Sequence, residues 1–177
     1  GITRLITPGT ILEEGMLSAK QNNWLASVLI DSYSNTEAVK KWSLAKVDVS
    51  TGELVVQEGG DINNLRQELI KLEAAEVISE KNTINNCQWY TKTMKITEFN
   101  QTAFTELESQ IAISNHYSIV NTEGLGLKSN SLSIRTIGGL IAYLNKTHPN
   151  LSNENKIKTH ISLDYPQIKY NYAGLVI

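Results

Sequence analysis

The spacing of apolar residues changes several times along this chain, and each change marks an element. Ile2 to Thr7 alternates β-branched and polar positions and runs into Pro8-Gly9, the pattern of a strand entering a turn. Residues 12–22 are polar and read as a linker or short helical turn. "NWLASVLIDSY" (23–33) is apolar without interruption, which predicts a strand over 24–31 that is buried on both faces. A polar loop is expected at 35–41. "WSLAKVDVSTGELVVQE" then alternates on either side of Ser50-Thr51-Gly52, predicting a hairpin of strands 42–49 and 53–58. Gly52 would supply the positive φ of the turn.

Helical spacing takes over after Asp61, a suitable N-cap. Ile62, Leu65, Leu69 and Leu72 place a helix at 62–74, followed by a short strand at 75–80. Three meandering strands and a crossover helix should return the fourth strand parallel to a neighbour. Residues 81–88 read as a turn and 89–99 as an alternating strand. Asn100 would cap a helix at 101–114, and 121–130 reads as a loop. A longer helix is expected at 131–148, with Ser131 as its cap and Ile134, Ile137, Leu140, Ile141 and Leu144 as its apolar stripe. Gly138-Gly139 inside it cost about 1 kcal/mol each relative to Ala, so close packing is expected there, against the sheet. Beyond Pro149 come a polar loop and an extended tail from about 158. No repeat or low-complexity segment interrupts the chain.

Composition narrows the function. The 177 residues suit one domain with a short extra arm, and 41% hydrophobic content builds a core rather than a disordered segment. Sixteen basic against eighteen acidic residues give a formal net charge of −2, which exerts no long-range pull on nucleic-acid phosphates. No apolar run approaches the roughly 18–20 residues that span a bilayer, and no secretion signature opens the chain. Cys87 is the sole cysteine, so no internal disulfide and no Cys/His zinc spacing exists. A cytosolic protein is the default.

The residues that could carry chemistry are scattered. "GLG" at 124–126 lacks the spacing of a phosphate loop and reads as a turn before a helix. The meander and crossover are how a ribonuclease-H-like nuclease begins, and such an enzyme needs carboxylates converging on two metal ions. Asp31, Asp48 and Glu76, at predicted strand ends, are the candidates, set against the commoner role of solvated turn residues. His116, His148 and His160 are far apart and have no elbow serine nearby. Cys87 reads as a surface or structural thiol. Trp24, Trp42 and Trp89 could stack on bases but stand where core packing is the usual fate.

A resemblance extends this reading. "TRLITPGT" resembles the strand that closes the mismatch-binding domain of the bacterial MutS family of mismatch-repair proteins. "NNWLASVLID" and "LAKVDVSTGELVVQE" are similar to the first strand and hairpin of that family's second domain. "TEF" (97–99), "EGLGL" (123–127), "TIGGLIAYLNKTH" and "THISLDY" follow in the family's order.

The resemblance implies that 1–22 are the C-terminal strand of a mismatch-binding domain plus a linker. Residues 23–177 would be the connector domain (domain II), an α/β, ribonuclease-H-like fold with a mixed sheet flanked by helices and without the nuclease. The family's Phe-x-Glu wedge would lie before Gly1, and its lever, clamp and ATPase segments beyond Ile177. No catalytic, cofactor-binding or metal-binding residue is therefore expected within the chain; ATP and Mg2+ would belong to the full-length parent. The implied partners are the other MutS domains, MutL, and mismatched duplex DNA through a parent that is a homodimer, in the cytoplasm and away from membranes. A partner surface is expected on polar positions of the helix at 101–114, at Glu106, Ser109 and Gln110. The alternatives are an active two-metal nuclease using Asp31, Asp48 and Glu76, and an autonomous DNA-binding module, which the charge balance opposes.

Overall fold

The computed structural model describes residues 23–33, 36, 38–120, 132–149 and 161–163. The expectations for 1–22, for the loop 121–130 with its Gly-Leu-Gly, for the cap Ser131 and for His160 lie outside those residues.

The uninterrupted apolar run forms strand β1 (Trp24–Ser32), which sits at the centre of the sheet. It pairs antiparallel with β2 (Val39–Asp48), and β2 pairs antiparallel with β3 (Leu54–Gly59). The β2–β3 turn is the expected one: Gly52 has φ 80°, and its amide donates to the Asp48 carbonyl at 2.7 Å. Strand β2 begins earlier than the polar composition of 35–41 suggested. Lys41 pairs with Asp31 and Val39 with Ser32, across a register shift, because the long β1 offers backbone groups that need partners.

Asp61 caps α1 (Ile62–Leu72) by accepting from the Asn63 amide at 2.8 Å. The helix stops two residues short of expectation, because Glu73 adopts the left-handed conformation (φ 50°) that closes it. The crossover returns the chain as β4 (Glu76–Ser79), parallel to β1 as expected. Short strands complete the two edges: β5 (Ile96–Glu98) beside β4, and β6 (Ile161–Leu163) beside β3, both parallel to their neighbours. The sheet order is β5-β4-β1-β2-β3-β6. An antiparallel meander, with the post-crossover strand added on the other side of its first strand, is the ribonuclease-H-like arrangement the resemblance implies.

Three expected elements differ. The turn at 81–88 contains a short helix, α2 (Lys81–Asn85), and a 3-10 turn at Cys87–Trp89. The strand expected over 89–99 survives only as β5. Trp89 is fully buried and its indole N–H donates to the Thr83 carbonyl at 2.9 Å, while the Tyr90 hydroxyl donates to the Ile84 carbonyl at 3.1 Å. These two bonds fold 89–90 back onto α2. The helix expected at 101–114 is likewise divided. Asn100 caps only a 3-10 turn (Gln101–Phe104). Thr105, in extended conformation, then caps α3 (Glu106–Tyr117) by accepting from the Glu108 amide.

The longest helix, α4 (Leu132–Thr147), packs between α3 and the sheet. Leu25, Leu29, Val47, Leu54, Val56 and Ile78 meet Ile134, Ile137, Leu140, Ile141 and Leu144 in one core, with Phe104 and Ile113. Ala26, Val28, Trp42, Leu44 and Val77 form a second core on the other face, under Leu65 and Leu69 of α1 and Trp89. The N-terminus of α4 is held from the sheet: the Glu58 carboxylate accepts from the Ser133 amide (3.2 Å) and hydroxyl, and Lys41 pairs with Glu58 at 3.0 Å.

The glycine pair is closely packed, but against a helix rather than the sheet. A Cβ on Gly138 would lie 2.3 Å from Ser109 Cβ and 2.4 Å from Ser109 Cα; one on Gly139 would lie 2.2 Å from Phe104 Cε1. The α3 backbone and the buried phenyl ring occupy the space. Gly138→Ala should therefore lower the unfolding free energy in urea melts by about 1–3 kcal/mol through overpacking. That outcome opposes the gain of about 1 kcal/mol that helix propensity alone would bring. A more stable Gly138→Ala protein would show that α3 and α4 are not in contact there.

Candidate partner-binding surface

Helix α3 is built with two apolar faces. Ser109, Ile113 and Tyr117, four residues apart, turn inward and are buried. Leu107 and Ile111 form a second i, i+4 pair on the outside and are 68% and 44% exposed. A helix that turns a serine toward the core and a leucine toward water inverts the usual amphipathic pattern. Gly138 is the reason: only a small side chain fits where the helices touch, and Ser109 meets its polar needs by donating to the Ala103 carbonyl at 3.1 Å, with the Arg135 carbonyl at 3.3 Å.

This corrects the expected partner residues. Ser109 is fully buried and offers nothing to a partner. Glu106 is exposed and Gln110 half-buried, so these two remain on the accessible side. The reading of polar positions did not anticipate that the apolar pair Leu107 and Ile111 is exposed on this helix. Their spacing was visible in the sequence, but the face they occupy depends on the glycines across the interface.

Beside this face lies an open pocket of about 270 Å3 between the 3-10 turn, α3 and α4. Phe99, Ala103, Ile111, Ala112 and Ala142 supply its apolar lining and Glu108 its charge. Phe99 is fixed by edge-on contacts with Phe104 and Tyr143, ring centroids 6.1 and 5.0 Å apart.

The three acids of the nuclease alternative do not meet. Asp31 and Asp48 stand at opposite ends of the sheet: Asp48 pairs with Trp24 and Asp31 lies seven residues further along β1, about 23 Å at strand rise. Glu76 lies next to Leu25 on the far side of β1 from Asp48, two strand spacings or about 10 Å away. Each has its own local role. Asp48 accepts from the Ser50 amide (2.9 Å) and hydroxyl (2.6 Å) in its hairpin. Glu76 accepts from the hydroxyls of Thr97 (2.6 Å) and Tyr143 (2.8 Å). Burial and that carboxylate push the Tyr143 phenol up to about 12. Asp31 is exposed. Among the described residues, no group of three or more His, Cys, Asp or Glu side chains could hold a metal ion.

The other candidates are dispersed. His116 is half-buried beside Tyr117, and burial lowers its pKa. His148 follows α4 and contacts Thr147. Cys87 is exposed. Trp42 and Trp89 are fully buried, so neither presents a face to a base. Trp24 is half-buried under the Lys46 ammonium, 4.8 Å from its ring centroid. No described helix is long and apolar enough to cross a membrane.

Comparison with known proteins places this geometry in context. Residues 23–158 match the family model described as MutS domain II. The whole chain is 68% identical to a stretch of the DNA mismatch repair protein MutS of Prochlorococcus marinus strain NATL1A, covering 19% of that protein. It is 43% identical over its full length to the MutS of Prochlorococcus marinus strain SARG, covering 20% of it. Over 99% of the chain it is 40% identical to the MutS of Parasynechococcus marenigrum strain WH8102, covering 19% of it. The chain thus spans about a fifth of the length of the curated relatives it matches.

Two buried acids should respond oppositely to pH. Burial alone would raise the Asp48 pKa, but hydrogen bonds from Ser50, Asn23 and Thr51 outweigh it and hold the carboxyl below its usual value. Its stabilising contribution is present above the unfolded pKa, near 4, and is lost as pH falls toward the folded value. Asp48→Asn should lower the urea midpoint at pH 7 and narrow its gap to wild type as the pH drops below about 4. Glu80 is buried with the Arg135 guanidinium 3.9 Å away, and burial raises its pKa despite that charge. Its carboxyl favours the fold when protonated, below the unfolded pKa, and that contribution is lost as pH rises through the folded value. Glu80→Gln should therefore raise the midpoint at pH 7 and lose the advantage near pH 4. Urea midpoints measured between pH 3 and 8 check both signs.

Proposed function

The chain belongs to the MutS family, as its domain II, and from that premise we propose that it is a non-catalytic connector in a DNA mismatch-repair protein. It joins the mismatch-reading domain to the ATPase core and presents a surface that helps recruit MutL. On this reading residues 1–22 are the last strand of the mismatch-binding domain and the linker, and 23–177 the connector. ATP, Mg2+ and mismatched duplex DNA are engaged by other parts of a cytoplasmic, homodimeric parent, several times longer than this chain. The recruiting surface is the outer face of α3, with Glu106 and Gln110 among its polar groups.

The observation that carries the non-catalytic reading is the separation of Asp31, Asp48 and Glu76. Two-metal hydrolysis needs carboxylates around ions roughly 4 Å apart, and these acids are divided by strand spacings and by the length of β1. The balance of sixteen basic and eighteen acidic residues supports the same assignment, since few phosphates could be neutralised.

The purified chain should leave plasmid DNA and RNA–DNA hybrids intact in magnesium or manganese. Nicking that disappears in Asp48→Asn would overturn the reading. In gel shifts at physiological salt it should bind duplex DNA more weakly than about 1 μM and without preference for a G·T mismatch. Sub-micromolar binding, or a clear mismatch preference, would make it a DNA-binding module instead.

A further inference from the structure

Asp48 has more acceptor capacity than its hairpin uses. The residue is 1% exposed, and Oδ1 takes both the amide and the hydroxyl of Ser50. Oδ2 is buried as well and has no hydrogen-bond partner. The Asn23 amide and the Thr51 hydroxyl help to hold the carboxyl below its usual pKa without closing a bond on that oxygen. At neutral pH an anionic oxygen thus lies out of water without a donor, a costly arrangement unless a cation completes it. Asp48 belongs to no ion pair among the described residues. Lys46, on the same face of β2, is held over the ring of Trp24, the residue that pairs with Asp48 from β1. Glu53, across the turn, is exposed.

The same hairpin grips the point where the chain enters the domain. The Val49 amide donates to the Asn23 carbonyl at 3.0 Å, and the Ala75 amide to the Trp24 carbonyl at 2.9 Å. Asn23 is therefore fixed beside the neighbour of Asp48. Lys20 stands three residues ahead of Asn23, within about 10 Å of extended chain. It is the sole cationic residue between Arg4 and Lys40. We propose that Lys20 supplies the missing donor: its ammonium pairs with Oδ2 of Asp48 and fastens the incoming arm to the β2–β3 hairpin. The assignment rests on the reading of 1–22 as the arm from the mismatch-reading domain, and it gives that arm a fixed point. The pair makes 20–24 part of the rigid body of the sheet. A displacement of the preceding domain then pulls on the hairpin and the meander behind it.

The test is a double-mutant cycle on the full chain, read as urea midpoints. At pH 7 Lys20→Met should lower the midpoint and Lys20→Arg should preserve it. In an Asp48→Asn background Lys20→Met should have no further effect. Its cost should also shrink as the pH falls below about 4 and Asp48 takes up a proton, since a carboxylate with a lowered pKa stabilises only while ionised. A Lys20→Met midpoint equal to wild type at pH 7 would overturn the proposal. So would a cost that adds in full to that of Asp48→Asn, or one that is undiminished at pH 3. Hydrogen exchange of the full-length parent with and without a mismatched duplex separates the clasp from the reading beneath it. Altered exchange at 48–53 that Lys20→Met abolishes supports the clasp. Altered exchange there that survives Lys20→Met, or changes only elsewhere in 23–163, overturn it and leave the connector reading standing. No change anywhere in the domain overturns the connector reading and the part of the clasp in it.

Discussion

The contact on which the rest of this domain depends is the meeting of α3 and α4 at Gly138 and Gly139. Helix α4 has two neighbours, the sheet below and α3 with its 3-10 turn outside, and its stripe of Ile and Leu side chains is committed to the sheet. Where it meets Ser109 and Phe104 it offers the bare backbone of Gly138 and Gly139. Two consecutive glycines let Ser109 and the Phe104 ring come within the distance a methyl group would occupy. The loss of helix propensity at two positions is offset by a core that extends through α4 to Ile113 and Phe104 without a gap.

Polar groups then fix what the glycines permit. Arg135 donates from Nε to the Phe104 carbonyl at 2.7 Å and reaches toward Glu80, tying the 3-10 turn, α4 and the end of β4 together. At the start of α4, Glu58 gathers the Ser133 amide and hydroxyl and the Lys41 ammonium, so two strands of the meander hold the helix N-terminus. The outer face of α3, and with it the pocket, is positioned by a helix that is itself anchored to the sheet at both ends: Glu58 at the start and, through Tyr143, Glu76 near the finish. The exposed Leu107 and Ile111 thus sit on a surface whose geometry is set two layers below.

What the sequence made legible were the features decided locally. The apolar run of β1, the Ser-Thr-Gly turn, the Asp61 cap and the stripe of α1 each need only neighbours in the chain, and each stands where its pattern placed it. The failures share a different cause. Residues 89–99 alternate like a strand, but Trp89 and Tyr90 have hydrogen-bond partners on α2 that no periodicity reveals. The α3 helix starts at Glu106 because Thr105 is extended, a choice that Asn100, also a good cap, concealed. Ser109 looked like a surface residue because its burial is dictated from another helix. The glycine pair announced a close approach and could not say to what. The family resemblance carried the fold further than the residues alone, and it could not place Ser109 either.

The edge strand β6 bears on how such a chain is made. Strand β3 ends at Gly59, and the residues that cover its open side begin at Ile161, about a hundred positions later. At about 5–20 residues per second of synthesis, β3 waits on the order of 5–20 s on the ribosome before its parallel neighbour emerges. The hairpin and α1 can assemble in that interval, but one row of β3 amides and carbonyls stays unclaimed. That row is a template on which another nascent chain could pair, and the three residues of β6 cover it at Leu54–Val56.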